Sequence, residues 1–314
     1  MTVQVENQRV LLANTKGEEH INANESTRCV KIVSIINDLF KQHNEPKKIL
    51  LLLTHEFIAI PRTYDNRIYI PRIFLLEPND FCNELKELQD KPSLLEDDHY
   101  LERIADTSYA CLDRKRASRP LTRFEKEMLR TFLKFIQDPQ KSEAAKKFIL
   151  GHEAAHIQKS HLTAAIIDLN KLIRRYWLSL FLAGSLAIAL IFTAAIPLWI
   201  VMMSALTLWM ILSIPPTLHF LKLSRKDEEE ADTYAAENAS IQVIQGGIYL
   251  FEILRAQQKE AYEKSFLGKL LFTSSGDNRL LSWTHPTESA RIEYLQKILA
   301  AKKEEQNKTS SDTL

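Results

Sequence analysis

No Asp, Glu, Lys or Arg occurs between residues 176 and 221. A membrane-spanning helix takes ~20 apolar residues, so this run is long enough for two. Pro197 falls near its middle, and Pro215 and Pro216 near its end. The pattern predicts one span over residues 177–196 and a second over 198–214, joined by a very tight turn. Tyr176, Trp177, Trp199 and Trp209 suit interfacial positions. The competing reading is a hairpin buried in a large soluble core, but so long an uncharged run is rare in soluble domains. Lys171, Arg174 and Arg175 precede the run, Lys222, Arg225 and Lys226 follow it, and the turn carries no positive charge. The positive-inside rule then places both flanks in the cytosol.

Outside this run the chain reads as water-soluble. Its 314 residues are 45% hydrophobic and 26% charged, with a net charge of +1. That supports a folded core and gives no basic excess of the kind a nucleic-acid partner leaves. Cys29, Cys82 and Cys111 are odd in number and lack metal-type spacing. They point to a reducing compartment rather than a disulfide framework. Residues 1–20 are polar and do not read as a secretory signal.

The expected organisation is a polar leader over residues 1–27, the first part of a folded domain over 28–175, and the membrane hairpin over 176–221. The second part of the domain follows over 222–302, with a disordered tail over 303–314. Val30, Val33, Ile36 and Phe40 recur at helical spacing and predict a helix over 28–42. Residues 49–53 and 67–76 read as strands, with turn residues Pro61, Asp65 and Asn66 between them. Residues 77–119 are charged and irregular, with room for short helices. Further helices are expected over 121–137, 142–161 (capped by Ser142), 224–238, 241–259 and 288–302. The fold class is α+β, mainly helical, with a small N-terminal sheet.

The chemistry concentrates in two segments. Gly151-His152-Glu153-Ala154-Ala155-His156 places two imidazoles four residues apart, on one face of a helix. Two such nitrogens suit one Zn²⁺ at ~2.0–2.1 Å. Glu153 sits about 100° round the helix, where it reaches a water activated by the ion rather than the ion itself. The ion lowers that water's pKa towards ~7, and a neighbouring carboxylate takes its proton. The bland alternative is a chance pair of surface histidines. A catalytic zinc also needs a third protein ligand and an open position. His161 lies about 140° round the same expected helix from His156, which suits a supporting or surface place rather than a ligand. The better source is the acidic stretch over residues 224–232. Spacing alone leaves Glu228, Glu229 and Glu230 open, and a solvated acidic helix start remains the plain alternative. Glu228 and Asp232 share a face, so Glu228 can bind the ion while Asp232 orients a bound histidine.

Together these segments resemble the family of membrane zinc metalloendopeptidases that includes the bacterial protease HtpX and the CaaX prenyl proteases. That family carries H-E-x-x-H, a transmembrane insertion, then S-R-x-x-E-x-x-A-D. Here Ser224, Arg225, Glu228, Ala231 and Asp232 each match. Thr284-His285-Pro286 followed by Arg291-Ile292 resembles the family's late H-P-x-x-x-x-R-I segment. The resemblance spans roughly residues 142–300. It implies a zincin-like domain with one zinc ion, held by His152, His156 and Glu228. It makes Glu153 the catalytic acid/base and His285 a catalytic residue that holds the oxyanion. Asp232, Arg291 and His161 then support the site. His161 falls where family members often have a histidine.

The strand over residues 67–76, with Ile68, Tyr69 and Ile70, sits where the family has an edge strand that pairs with substrate. The family's Asn-Ala pair and Gly-Leu step are absent there, and residues 77–140 form a longer insertion than expected. HtpX has two further spans near its N-terminus, and the CaaX proteases enclose a large chamber. A single hairpin cannot build that chamber, so prenylated substrates are not expected. The implied function is peptide hydrolysis at a membrane, with protein or peptide substrates, the lipid bilayer as partner, and quality control or processing as the role. The bacterial inner membrane is the implied setting. The alternative is an inactive membrane-anchored scaffold or chaperone-like protein, against which the intact Glu153 argues.

Overall fold

The computed structural model describes residues 10–14, 23–40, 49–54, 61–64, 67–113, 115–116, 118–193, 197–279 and 281–311. Among these, the strands β1 (Val10–Asn14), β2 (Ile49–Thr54), β3 (Arg62–Tyr64) and β4 (Arg67–Pro71) form one sheet in the order β1-β2-β4-β3. β1 and β2 are parallel, as are β2 and β4. β3 runs antiparallel to β4, with Thr63 opposite Ile68.

The small N-terminal sheet is therefore present, but two expectations need correction. β1 lies inside the stretch read as a polar leader, because a Val-Leu-Leu-Ala run too short to stand out pairs with β2. β4 is not an edge strand. Ile68, Tyr69 and Ile70 lie between β2 and β3, and among the described residues the outer strands are β1 and Arg62–Tyr64. β4 also stops at Pro71, after which Arg72–Leu75 wind into a 3₁₀ turn. Of the expected turn residues, Pro61 precedes β3, whereas Asp65 and Asn66 lie outside the described residues.

Helix α1 (Ala23–Phe40) packs its Cys29, Ile32, Val33 and Ile36 into one cluster with Leu53, Ile68 and Ile70. It begins earlier than expected, and its first turn buries Glu25 against Arg72 at 3.0 Å. Val30 faces solvent instead of the core. The charged stretch after the sheet is folded, with α2 (Cys82–Asp90), α3 (Asp98–Cys111) and α4 (Arg123–Ile136). Its charges pair across elements. Arg28 grips Asp80 through two bonds of 2.6 and 2.7 Å, and Arg119 grips Glu125 at 2.6 and 2.8 Å. Thr122 and Glu125 cap α4 reciprocally. Phe81, Leu101, Ile104, Leu129 and Leu133 join the same core as α1 and the sheet.

Helix α5 (Pro139–Gln158) starts before the expected Ser142. Asp138 is its cap, accepting from the Lys141 amide at 3.0 Å, and Pro139 takes a first-turn position where no amide donor is needed. α5 lies on α8 (Ile241–Lys264), and two glycines set how closely. A Cβ on Gly246 would fall 2.3 Å from the Ala145 amide nitrogen, and one on Gly247 would fall 2.8 Å from the Phe148 ring. Gly-Gly inside a helix is unfavourable by propensity; here it lets two backbones meet.

Helices α6 (His161–Thr193) and α7 (Leu198–Glu237) form the hairpin. Both are long and apolar enough to cross a membrane, and only 17% and 11% of their most apolar windows are buried in the protein. That exposure is unlike a soluble core helix. Tyr176 bonds Thr217 across the pair, and Ser179 approaches Ser213 at 3.5 Å. The expected break between the second span and the next helix does not occur, since α7 runs unbroken through Pro215 and Pro216. A proline removes one bond and strains the carbonyl four residues back, whereas unwinding in apolar surroundings would strand many more backbone groups. The short α9 (Phe266–Leu271) and the long α10 (Glu288–Ser311) complete the chain. α10 includes residues 303–311, expected to be disordered, because their Lys, Glu and Gln residues extend a helix already nucleated by packing.

Replacing Gly246 with Ala forces the α5 and α8 backbones apart. The expected loss is about 1–3 kcal/mol, as for overpacked cores, read as a lower unfolding midpoint of the detergent-solubilised protein. An unchanged midpoint would remove the glycine contact as the determinant of this packing.

Candidate metal centre

Three helices bring the site together. α5 carries His152, Glu153 and His156, α7 carries Glu228 and Asp232, and α10 carries Arg291. His152 Nε2 and His156 Nε2 lie 3.1 Å apart. The Glu228 carboxylate closes the triangle, with Oε2 3.4 Å from His152 Nε2 and Oε1 3.5 Å from His156 Nε2. Two donors on a tetrahedral ion at ~2.0–2.1 Å sit about 3.3 Å apart, and the three edges bracket that value. These residues form a group with a ligand atom each within 4.8 Å of the others, so the donor set fits one metal ion.

The charge around the cluster fits a cation as well. Glu228 and Asp232 are both carboxylates in this buried region, and Arg291 is the only full-time cation against them among the described contacts. Burial opposes ionisation of Glu228, but the hydrogen bond from His152 and the charges of His152 and His156 outweigh it and hold the group at about 2. Burial likewise opposes a charge on His152, yet its bonds to Asp232 and Glu228 raise it to about 10. Burial and the neighbouring His152 push His156 down to about 3. Two carboxylates set against two histidines make this a place that attracts positive charge.

The outer nitrogens are fixed in turn. Asp232, 1% exposed, holds His152 Nδ1 through Oδ1 at 2.9 Å. Arg291 donates to both Asp232 oxygens at 2.6 Å, and its guanidinium lies 4.1 Å from the centre of the Phe251 ring. With its Nδ1–H donated to Asp232, a neutral His152 would direct its Nε2 lone pair at the cluster. His161 does not share a helix with His156, as the sequence suggested. α5 ends at Gln158, and Ser160 adopts a positive φ of 57° that turns the chain into α6. The turn brings His161 Nδ1 within 2.9 Å of His156 Nδ1. For His156 to present Nε2 as a lone pair, its Nδ1–H must donate to His161. The His161 Nε2–H then faces Glu230 at 3.5 Å.

Glu153 is buried on the side of α5 that faces β3. Burial pushes its carboxyl pKa up against the opposing charge of His152. Thr63 on β3 touches it twice, at 2.6 Å to Oε2 and 3.0 Å to the backbone carbonyl. No spacing rule singles out Thr63, which lies on a three-residue strand far from the helix in sequence. His285 stands on the open side, with Nε2 3.6 Å from Glu228 Oε1 and Nδ1 2.8 Å from the Thr284 hydroxyl. Of the expected edge-strand residues, Ile68 and Ile70 are buried in the core. His152, His156, His161, Glu228, Asp232, His285 and Arg291 lie within one chain of contacts, and Glu153 follows His152 on α5 with its carboxylate on Thr63.

Comparison with known families places this arrangement. A model of peptidase family M48 matches residues 128–299. The chain belongs to peptidase family M48. The match covers α5, the hairpin helices α6 and α7, α8 and the first half of α10, and so contains all the helical parts of the metal centre. No curated protein matches the chain, and no solved structure does. M48 peptidases are metal-dependent peptide hydrolases, and this M48 protein is accordingly a metallopeptidase acting on protein or peptide substrates.

Asp232→Asn keeps the size of the side chain but removes the charge that orients His152. Metal affinity is expected to fall 10–100-fold, the usual range for a partner behind a ligand, measured by competition with a chromogenic chelator. Wild-type affinity in this variant would mean that His152 does not depend on Asp232.

Proposed function

We propose that this protein is a membrane-anchored, zinc-dependent metalloendopeptidase of zincin-like fold. The observation that carries the reading is the convergence of His152, His156 and Glu228 around one point, with the Glu153 carboxylate beside it. A His₂Glu donor set suits zinc with one position left open. When bound, such an ion polarises a peptide carbonyl and makes water a nucleophile at neutral pH. Glu153 takes the proton from the attacking water and later passes it to the leaving amine. Its burial keeps competing water away and favours its taking up a proton. His285, steadied by Thr284, faces the open side, where its Nε2 can donate to the oxygen that gains charge. Asp232, Arg291 and His161 hold the two histidines in the required tautomers.

Substrate pairing falls to β3 rather than to Ile68, Tyr69 and Ile70, since β3 is the outer strand of the described sheet on the side of Glu153. A peptide laid along Arg62–Tyr64 would run past the Thr63 contact with Glu153 and thus past the site. The hairpin holds the domain at a bilayer, and the basic residues at both its ends place the site on the cytosolic side. Membrane proteins with exposed cytosolic segments are the substrates this arrangement favours, whether for quality control or for processing.

The decisive experiment compares the detergent-purified protein with Glu153→Gln for bound metal and for cleavage of an unfolded protein. Glu153→Gln should keep its metal and lose about 10²–10⁴-fold in kcat, the range for a positioned acid/base. Equal activity in both proteins would refute the mechanism. Thr63→Val should keep metal and KM and lower kcat by about 10–100-fold, the worth of a hydrogen bond to a charged group. Thr63→Ser should restore it. If Ser is no better than Val, the hydroxyl is not what positions Glu153.

A further inference from the structure

We propose that α9 and Trp283 form a second membrane contact, which docks on the headgroup–acyl boundary of the same bilayer that the hairpin crosses. The proposal rests on the reading of α6 and α7 as membrane-spanning.

Helix register fixes the height of α9. Arg291 bonds Asp232 on α7 and stacks over Phe251 on α8, so it marks one level on both helices. α5 descends towards the hairpin, because His152 meets Asp232 while His156 meets Glu228, nearer the membrane end of α7. α8 descends with α5, since Gly246 lies on Ala144 and Ala145 while Phe251 meets Phe148 further along. At ~1.5 Å per residue, the distance down α7 from Asp232 to Leu221, the last residue of the uncharged run, is about 16 Å. The distance down α8 from Phe251 to Lys264 is about 20 Å. The end of α8, and α9 directly after it, therefore lie level with the entry of the hairpin into apolar surroundings.

The face that α9 presents at this level is apolar and fixed. Phe266 is 83% exposed, Leu267 65% and Leu270 59%. The helix cannot roll to hide them. Gly268 sits so close to the end of α8 that a Cβ there would lie 1.8 Å from the Ala261 carbonyl. Ser265 caps the helix by accepting from the Gly268 amide at 2.8 Å. Trp283, 62% exposed, follows two residues before His285, which meets Glu228 on the membrane side of the site. Lys269 sits within the apolar helix as a positive charge of the kind interfacial segments carry, while Lys264 is paired with Glu260 and Glu96. A short helix with aromatic and leucine side chains out, a lysine beside them and an exposed tryptophan nearby is suited to the interface. With the hairpin as one anchor and this patch as another, the metal centre would be held at a set height and tilt above the bilayer.

The test uses the full chain in nanodiscs containing anionic lipid. Single cysteines are introduced at Leu267→Cys, Phe192→Cys and Phe124→Cys in a background with Cys29→Ala, Cys82→Ser and Cys111→Ser, and each carries an environment-sensitive fluorophore. Nitroxide-labelled lipids then report depth. The probe at 192, near the far end of the first span, should be quenched by lipid labels in the acyl region. The probe at 267 should be blue-shifted and quenched most by shallow labels. The probe at 124, on α4, should respond to neither. Quenching at 192 with none at 267 overturns the membrane patch and leaves the hairpin reading standing. A blue shift at 267 that no lipid label quenches assigns the patch to a protein partner and also overturns it. Quenching at 267 without quenching at 192 refutes the spanning hairpin, and with it a patch placed by that hairpin. Quenching at neither position removes both.

Discussion

One buried carboxylate ties the site together. Asp232 is almost wholly enclosed, and its oxygens serve His152 on α5 and Arg291 on α10 from a position on α7. A buried charge is tolerated only with partners in good geometry, so the three helices have to meet where Asp232 is. That meeting sets the tautomer of His152 and the height of Glu228, one turn earlier on the same face of α7. The triangle of His152, His156 and Glu228 is the consequence. Arg291 extends the contact to Phe251, and so the α8–α10 core is tied to the same point.

The hairpin is the topological answer to a separation in sequence. His156 and Glu228 must lie within a few ångströms of each other. A single helix through the residues between them would hold them tens of ångströms apart at ~1.5 Å per residue. Two antiparallel helices return the chain to its starting level. In this protein the two helices long and apolar enough to cross a membrane are the same ones that carry the site: α7 runs unbroken from Leu198 to Glu237, and α6 begins at His161 against His156. Site geometry and the apolar hairpin are therefore mechanically continuous.

Most of the ligand chemistry was legible because it is local. A four-residue spacing fixes the relative direction of two side chains on any helix, which is why His152 with His156, and Glu228 with Asp232, could be paired before any coordinates. The uncharged run was legible for the same kind of reason, since length and composition suffice. Element boundaries were less so. Ser160 breaks what reads as one helix, Pro215 and Pro216 fail to break another, and residues 303–311 continue α10. In each case packing or surroundings outweigh local propensity. The strand order was hidden, because β3 is too short to show a period and pairing partners leave no mark on a single strand.

Sequence by itself determined the residue types, the two helical faces that carry them, and the hairpin between. Those follow from backbone periodicity and from the hydrophobicity of a continuous segment. Only the tertiary structure decided which carboxylate faces the histidines, that Thr63 reaches Glu153, that His161 turns to His156, and that α9 folds back on the end of α8. Each of these depends on how separate elements dock, and docking is set by contacts such as Gly246 on Ala145 and Arg291 on Asp232, whose partners lie scores of residues apart in the chain.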